Sequence, residues 1–212
     1  MNLNNLPGAR KALENIKPYV PGKPIEEVER ELGIKNAIKM ASNENPLGPS
    51  PKAVEAVQKA STKLNLYPDG ASHYLREEIT ARYQLDVGQV IVGNGSDEII
   101  KLLAETFLNS GDEAVMAKPS FSEYDFALTL MGGKSLFVDC VDFCHDLEGM
   151  LQAITPKTKI VFICNPNNPT GTIVTKKELE KFMAKVPKQV VVVFDEAYYE
   201  YVDHPDYASG LE

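Results

Sequence analysis

The chain has 212 residues, with 22 Lys+Arg against 30 Asp+Glu and a formal net charge of −8. At roughly 150 residues per domain this is one domain, or one with an appendage; 43% hydrophobic and 25% charged residues exclude the disordered and fibrous classes. Acidic residues spread along the chain remove the electrostatic footprint of a phosphate-backbone binder, so nucleic acid is not an expected partner.

The opening MNLNNLPGARKALENIKPY has no apolar stretch of leader length, and apolar runs such as Val190–Phe194 are far too short to span a bilayer. The expectation is a cytoplasmic protein without a membrane partner. Cys140, Cys144 and Cys164 are an odd number, which argues against a disulfide framework and for free thiols. Cys140, Cys144 and His145 lack the second ligand pair that metal sites show, so no metal is expected and they read as solvated or half-buried polar residues. His73 and His204 show no ligand or triad spacing either.

Up to about Gly70 the chain is rich in Pro, Asn and Gly. Ile25, Val28 and Leu32 fall at helical spacing before Gly33, and Ser50-Pro51 opens a second helix as N-cap and N1. Between them ASNENPLGPS (41–50) is a loop whose amides need partners. Ser72 is expected to cap a third helix with Leu75, Ile79 and Tyr83 on one face. From Val90 strands and helices alternate: Val90–Val92, helix Asp97–Leu108; Glu113–Ala117, helix Glu123–Met131; Ser135–Val138; Lys159–Ile163, helix Lys176–Lys185; and Val190–Phe194. That rhythm implies an α/β fold, a mostly parallel sheet with helices on both faces, and QVVVVF is apolar without alternation, like a strand buried on both sides. In such sheets ligands bind beyond the carboxyl ends of the strands.

Three loops follow strands. Gly93-Asn94-Gly95-Ser96-Asp97-Glu98 opens a helix, whose free N–H groups and positive dipole end suit a phosphate; the alternative is a turn capped by Asn94 or Ser96. No GxxxxGK[ST] is present, so a nucleotide P-loop is not supported. Asn165-Pro166-Asn167-Asn168-Pro169-Thr170-Gly171 presents three amides on a backbone constrained by two prolines, or forms Asx turns and nothing more. Asp195, directly after an apolar run, is a helix N-cap or the counter-ion of a bound cation, with Tyr198 at i+3 in reach of the same ligand.

Taken together, GNGSDE, NPNNPTG and FDEAYYEY, in this order at strand ends, resemble the fold-type I pyridoxal-phosphate aminotransferases; with ASNENPLGPS and YPDG upstream they most resemble the histidinol-phosphate aminotransferase family. The resemblance, running from about Tyr19 to the end, implies residues 1–50 as an N-terminal arm and part of a small domain, and 51–212 as an incomplete large, cofactor-binding domain. It implies pyridoxal 5'-phosphate as cofactor, with Gly95 and the N–H groups of Ser96 and Asp97 at its phosphate and Tyr124 stacked on its ring. Asn168 and Tyr198 would meet the ring hydroxyl, and Asp195 the pyridine nitrogen, where a carboxylate keeps the ring cationic. Tyr67 would reach the phosphate of a neighbouring subunit in a homodimer, and Tyr19 and Asn43 would line the substrate site. The implied reaction exchanges the amino group of histidinol phosphate, giving imidazole-acetol phosphate, with 2-oxoglutarate, giving glutamate, in histidine biosynthesis.

The family's Schiff-base lysine lies downstream of the DEAYYEY segment in a Ser-Lys context. No lysine follows Lys188 and no arginine follows Arg82, so this chain matches the amino-terminal part of the family, is expected to be inactive alone, and offers no catalytic residue. Two strands that the family inserts beside Val90–Val92 are missing as well, so poor solubility is expected. Aromatic and aspartate aminotransferases and threonine-phosphate decarboxylase share these loops. A non-catalytic cofactor-binding module and a phosphate-sugar or nucleotide binder of similar design are the readings of other classes.

Overall fold

The computed structural model describes residue 8 and residues 10–16 and 22–212. They form two compact units, residues 22–91 and residues 92–212, the latter including the described residues near the amino terminus.

The larger unit contains helix α4 (Gly95–Phe107) and the elements β1 (Glu113–Lys118), α5 (Glu123–Leu130), β2 (Lys134–Asp139), α6 (Leu147–Ala153), β3 (Thr158–Cys164), α7 (Lys176–Met183) and β4 (Val191–Asp195). The four strands make one sheet in the order β2-β1-β3-β4, every pair parallel. Because strand side chains alternate between faces, one parity builds each layer. Ala114, Met116, Ile160, Phe162 and Cys164 face Ile100 and Ala104 of α4 and Tyr124, Ala127 and Leu128 of α5. Val115, Val161 and Ile163 face the other way, onto Leu147 and Met150 of α6 and Leu179 and Phe182 of α7. Burying a side chain such as Phe162 stabilises the fold by about 1.5–3 kcal/mol relative to exposure. Both faces are covered, which is why the strand sequences carry apolar residues without interruption.

Two expectations are corrected here. Val90–Val92 is not a strand: a ladder needs a partner for every second N–H and C=O, and among the described residues the sheet pairs only β1 to β4. Conversely, α6 was not expected; Asp146 caps it, its carboxylate accepting from the N–H of Gly149 at 2.9 Å.

The smaller unit holds α1 (Ile25–Leu32), α2 (Pro51–Ala60) and α3 (His73–Tyr83). Gly33 ends α1 at φ 66°, a left-handed cap that glycine adopts without penalty. Pro51 is the first residue of α2, after Ser50. Ser72 precedes α3 as expected but its side chain does not cap; Asp69 does, its two carboxylate oxygens accepting from the N–H groups of Ala71 and His73, each at 2.9 Å. No described residue of this unit is buried.

Candidate functional site

The strand order places a reversal in the middle of the sheet. From β1 the chain runs to β2 on one side, then returns to β3 on the other, and a crevice opens at such a point beyond the carboxyl ends of the strands. The loops after β1 and β3 and the last residue of β4 meet there. Register pairs Cys164 with Asp195, and the Asn165 N–H donates to the Asp195 carbonyl at 2.9 Å.

Asp195 is half-buried. One carboxylate oxygen accepts the Tyr124 hydroxyl at 2.6 Å and the other the Ala197 N–H at 3.2 Å, so the residue starts an Asx turn and not a helix. Burial first, then Cys164 and Asp195 beside it, push the Tyr124 hydroxyl far above the ordinary phenol range; it stays a donor at any working pH. The Tyr124 ring stacks on Phe162 with centroids 4.5 Å apart and meets Phe121 edge-on at 5.7 Å. At 1% exposure that ring is packed as a wall of the core, whereas the resemblance implies a ring stacked on the cofactor. Burial also raises the Cys164 thiol, which donates to the Pro166 carbonyl at 3.3 Å.

The loop after β3 is held by its own amides. Asn165 bonds Val174 through both ends of its side chain, accepting the N–H at 3.0 Å and donating to the carbonyl at 3.3 Å. Asn167, 3% exposed, donates to the Pro119 carbonyl at 3.1 Å and to Thr170 Oγ1 at 2.8 Å. It accepts from Ser120 Oγ at 2.8 Å and contacts His145 Nε2 at 3.0 Å. Asn168, next along, donates to the Tyr198 hydroxyl at 3.4 Å, which ties the loop after β3 to the segment that follows Asp195 in the chain. His145 itself is 7% exposed, a correction to the solvated or half-buried reading. No spacing rule announces it, since its partner lies in another loop. Ser120 was missed for the same reason, whereas Asn167 stood inside a recognised motif without an assigned role. Cys140 and Cys144 are half-buried free thiols.

At α4 the GNGSDE segment forms the helix start. Gly95 has φ 74°, a conformation that disfavours other residues, and a Cβ on Gly93 would lie 2.8 Å from Ile99 Cδ1. No side chain caps the helix, so neither Asn94 nor Ser96 serves as the expected cap; Glu98 turns back to accept the Asn94 N–H at 2.5 Å. The first-turn N–H groups of Ser96 and Asp97 are the ones a helix leaves without intrahelical partners. Asn94, Asp97, Glu98, Lys101 and Glu123 line a cavity of about 350 Å³ at this helix end, and burial, then Asp97, raise the Glu123 carboxyl above its ordinary value.

Tyr67 and Asn43 lie in the smaller unit. Tyr67 is fully exposed, and Asn43 adopts φ 48° in an exposed turn. Tyr19 lies outside the described residues. No helix among the described residues is long and apolar enough to cross a membrane.

Residues 35–211 match the family described as aminotransferase class I and II. A histidinol-phosphate aminotransferase of Moorella thermoacetica is 56% identical over 206 residues, 97% of this chain and 53% of that protein. Histidinol-phosphate aminotransferase 2 of Carboxydothermus hydrogenoformans is 52% identical over 203 residues, 95% of this chain and 56% of its own length. Among solved structures, histidinol-phosphate aminotransferase from Sinorhizobium meliloti in complex with pyridoxal-5'-phosphate superposes with a TM-score of 0.85 at 23% identity, over 95% of this chain and 54% of that one. A Thermus thermophilus aspartate aminotransferase variant gives 0.79 at 22% identity, over 96% of this chain and 55% of that one. The chain spans about half the length of the curated relatives it matches. With the family match covering most of its residues, the chain belongs to the class I and II aminotransferases.

Proposed function

We propose that the protein carrying this chain is a cytoplasmic, pyridoxal-phosphate-dependent transaminase that exchanges the amino group of histidinol phosphate with 2-oxoglutarate. The substrate assignment is supported by relatives of that name at 56% and 52% identity. The observation that carries the cofactor reading is the Tyr124–Asp195 bond at the carboxyl end of β4, together with the bond between Asn168 and Tyr198.

The residues fit the group. A ring nitrogen needs an oriented carboxylate; Asp195 has two donors fixing its oxygens and would favour a proton on that nitrogen. A ring hydroxyl needs neutral donors and acceptors, which Asn168 and Tyr198 supply. A phosphate needs N–H groups at a helix start, which Ser96 and Asp97 supply, while Gly95, its own N–H donating to the Gly93 carbonyl at 3.0 Å, sets the turn that presents them. When bound, the cofactor acts as an electron sink for charge developing at the substrate's Cα; the role of these side chains is to bind, orient and hold that proton. Tyr124 acts on Asp195 by orienting it, and no residue of this chain is assigned the proton shuttle at Cα. In a homodimer, Tyr67 would reach the partner's phosphate site, which its full exposure favours, while Asn43 and Tyr19 would serve the substrate.

Equilibrium dialysis of the chain with pyridoxal 5'-phosphate tests the cofactor reading: Asp195→Ala should weaken binding about tenfold or more, the size of a lost charge-assisted bond, and unchanged affinity would refute it. For the substrate, the protein carrying this chain should turn over histidinol phosphate faster than aspartate or an aromatic amino acid at equal concentration; the opposite order would assign it to a sister activity.

A further inference from the structure

We propose that His145 is a positioning residue for the loop after β3: its Nε2–H orients the Asn167 amide, and that amide sets the backbone from which Asn168 meets the cofactor ring. The proposal rests on the cofactor reading of Asn168 given above.

Hydrogen-bond logic fixes the direction of every bond in the cluster. The Pro119 carbonyl can only accept, so the Asn167 atom facing it at 3.1 Å is the amide nitrogen, which also donates to Thr170 Oγ1. The amide oxygen therefore faces Ser120 Oγ and His145 Nε2. An oxygen acceptor requires a donor opposite, so the His145 proton sits on Nε2. His145 Nδ1 is buried without a hydrogen-bond partner, as a bare lone pair can be and a second N–H could not be without cost. The histidine is itself held from behind. It follows a tight turn in which Val141 and Cys144 exchange both backbone bonds, at 3.0 and 2.9 Å, and the Phe143 carbonyl in that turn accepts Thr172 Oγ1 at 2.7 Å. Asn167 and Thr172 close the loop through a backbone bond of 2.9 Å. Thus the segment after β2 braces the loop after β3 at two points, His145 on Asn167 and Phe143 on Thr172, and Asn168 is the next residue after the first of them.

The chain has three histidines, so ¹⁵N-histidine labelling at micromolar concentration resolves them, with His145→Gln giving the assignment. The expected signature is a neutral His145 carrying its proton on Nε2 near pH 7; a proton on Nδ1 would overturn the proposal without any variant having to fold. His145→Gln, whose amide returns a donor, should keep wild-type hydrogen-exchange protection across residues 165–175, whereas His145→Leu should lose it; equal protection in all three would overturn the bracing. Affinity for pyridoxal 5'-phosphate should fall about five- to tenfold in His145→Leu, the worth of one misplaced hydrogen bond, and return in His145→Gln. Affinity for the analogue lacking the ring hydroxyl should not change in either variant. An equal loss for both ligands would mean a merely structural role and would overturn the proposal. If the wild-type chain does not distinguish the two ligands, the cofactor reading of Asn168 falls and the last step of the proposal with it, while the tautomer and exchange results still judge the His145–Asn167 bond separately.

Discussion

Asp195 shows how a charge is kept at the edge of an apolar core. Its strand ends there, leaving the carboxylate half-buried, and two donors hold it; a charge in that position without partners would be expensive. Tyr124→Phe removes one donor and leaves the ring packing intact, so urea unfolding should show a loss of about 1.5–3 kcal/mol, the range for bonds to charged groups; a loss below about 0.5 kcal/mol would mean that the hydroxyl contributes orientation without stability. His145 makes a complementary prediction in pH. Burial holds its ring below the ordinary value of 6.5, partly offset by the bond to Asn167. Between the lowered value and 6.5 the unfolded chain binds a proton that the native state does not, so stability from this group is full above about 6.5 and is lost as pH falls below it. Cys144, Asp146, Glu148, Glu178, Lys181 and Lys185 line the same pocket; of the carboxylates among them, Glu178 is already held low by Thr175. Denaturant midpoints measured from pH 7.5 to 5.5 should fall for the wild type and stay flatter for His145→Gln.

Among the elements, what the sequence made legible depended on whether the signal was local. The strands β1 to β4 were readable as short apolar runs between turn residues, and the helices α4, α5 and α7 as the segments that alternate with them. Boundaries moved by one or two residues, as helix and strand ends do. Val90–Val92 has the right composition for a strand but no ladder partner, information that no window of sequence contains. Helix α6 is short and interrupted by Gly149, so its period is weak; its one local sign was Asp146 at the cap. The cap of α3 was misread for a different reason: Ser72 has the favoured residue type, yet its φ of 49° turns it away, and Asp69 supplies both acceptors. Asp69→Ala should therefore lower α3 protection in hydrogen exchange while Ser72→Ala leaves it unchanged, and the effect of Asp69 should disappear as pH falls through its lowered carboxyl value. At the start of α4, Gly95→Ala places a side chain at φ 74°, costing about 1–2 kcal/mol, and should weaken pyridoxal 5'-phosphate binding together with stability. The candidate site itself was legible as three motifs, but Tyr124 as a partner of Asp195 and the His145 brace were not, because each joins residues from different loops.

For the whole molecule the decisive feature is the outer side of β4. The strand is Val-Val-Val-Phe-Asp, its described partner is β3 alone, and its first four residues are only half-buried although they are apolar. Its free backbone groups offer a template to any other extended chain, and none of its first four residues carries the charge that natural edges use against pairing. In the smaller unit, Ile38, Met40, Leu47 and Leu64 stand 82–95% exposed, adding apolar surface of the kind that marks interaction sites or aggregation. Both features act in the same direction, so the chain alone should self-associate. Sedimentation velocity across about 1 to 50 µM should show growth of fast-moving species with concentration, accompanied by an irreversible thermal transition. Low concentration should favour the monomer, since pairing of edges is at least second order in protein. A single slow boundary at all concentrations with a reversible cooperative melt would show instead that β4 is protected within the monomer, and the same measurement on Val193→Lys would then be without effect. If association is seen, that substitution, which puts a charge into the edge strand, should reduce it at equal concentration, at some cost in stability because Val193 also packs against the α4 and α5 layer.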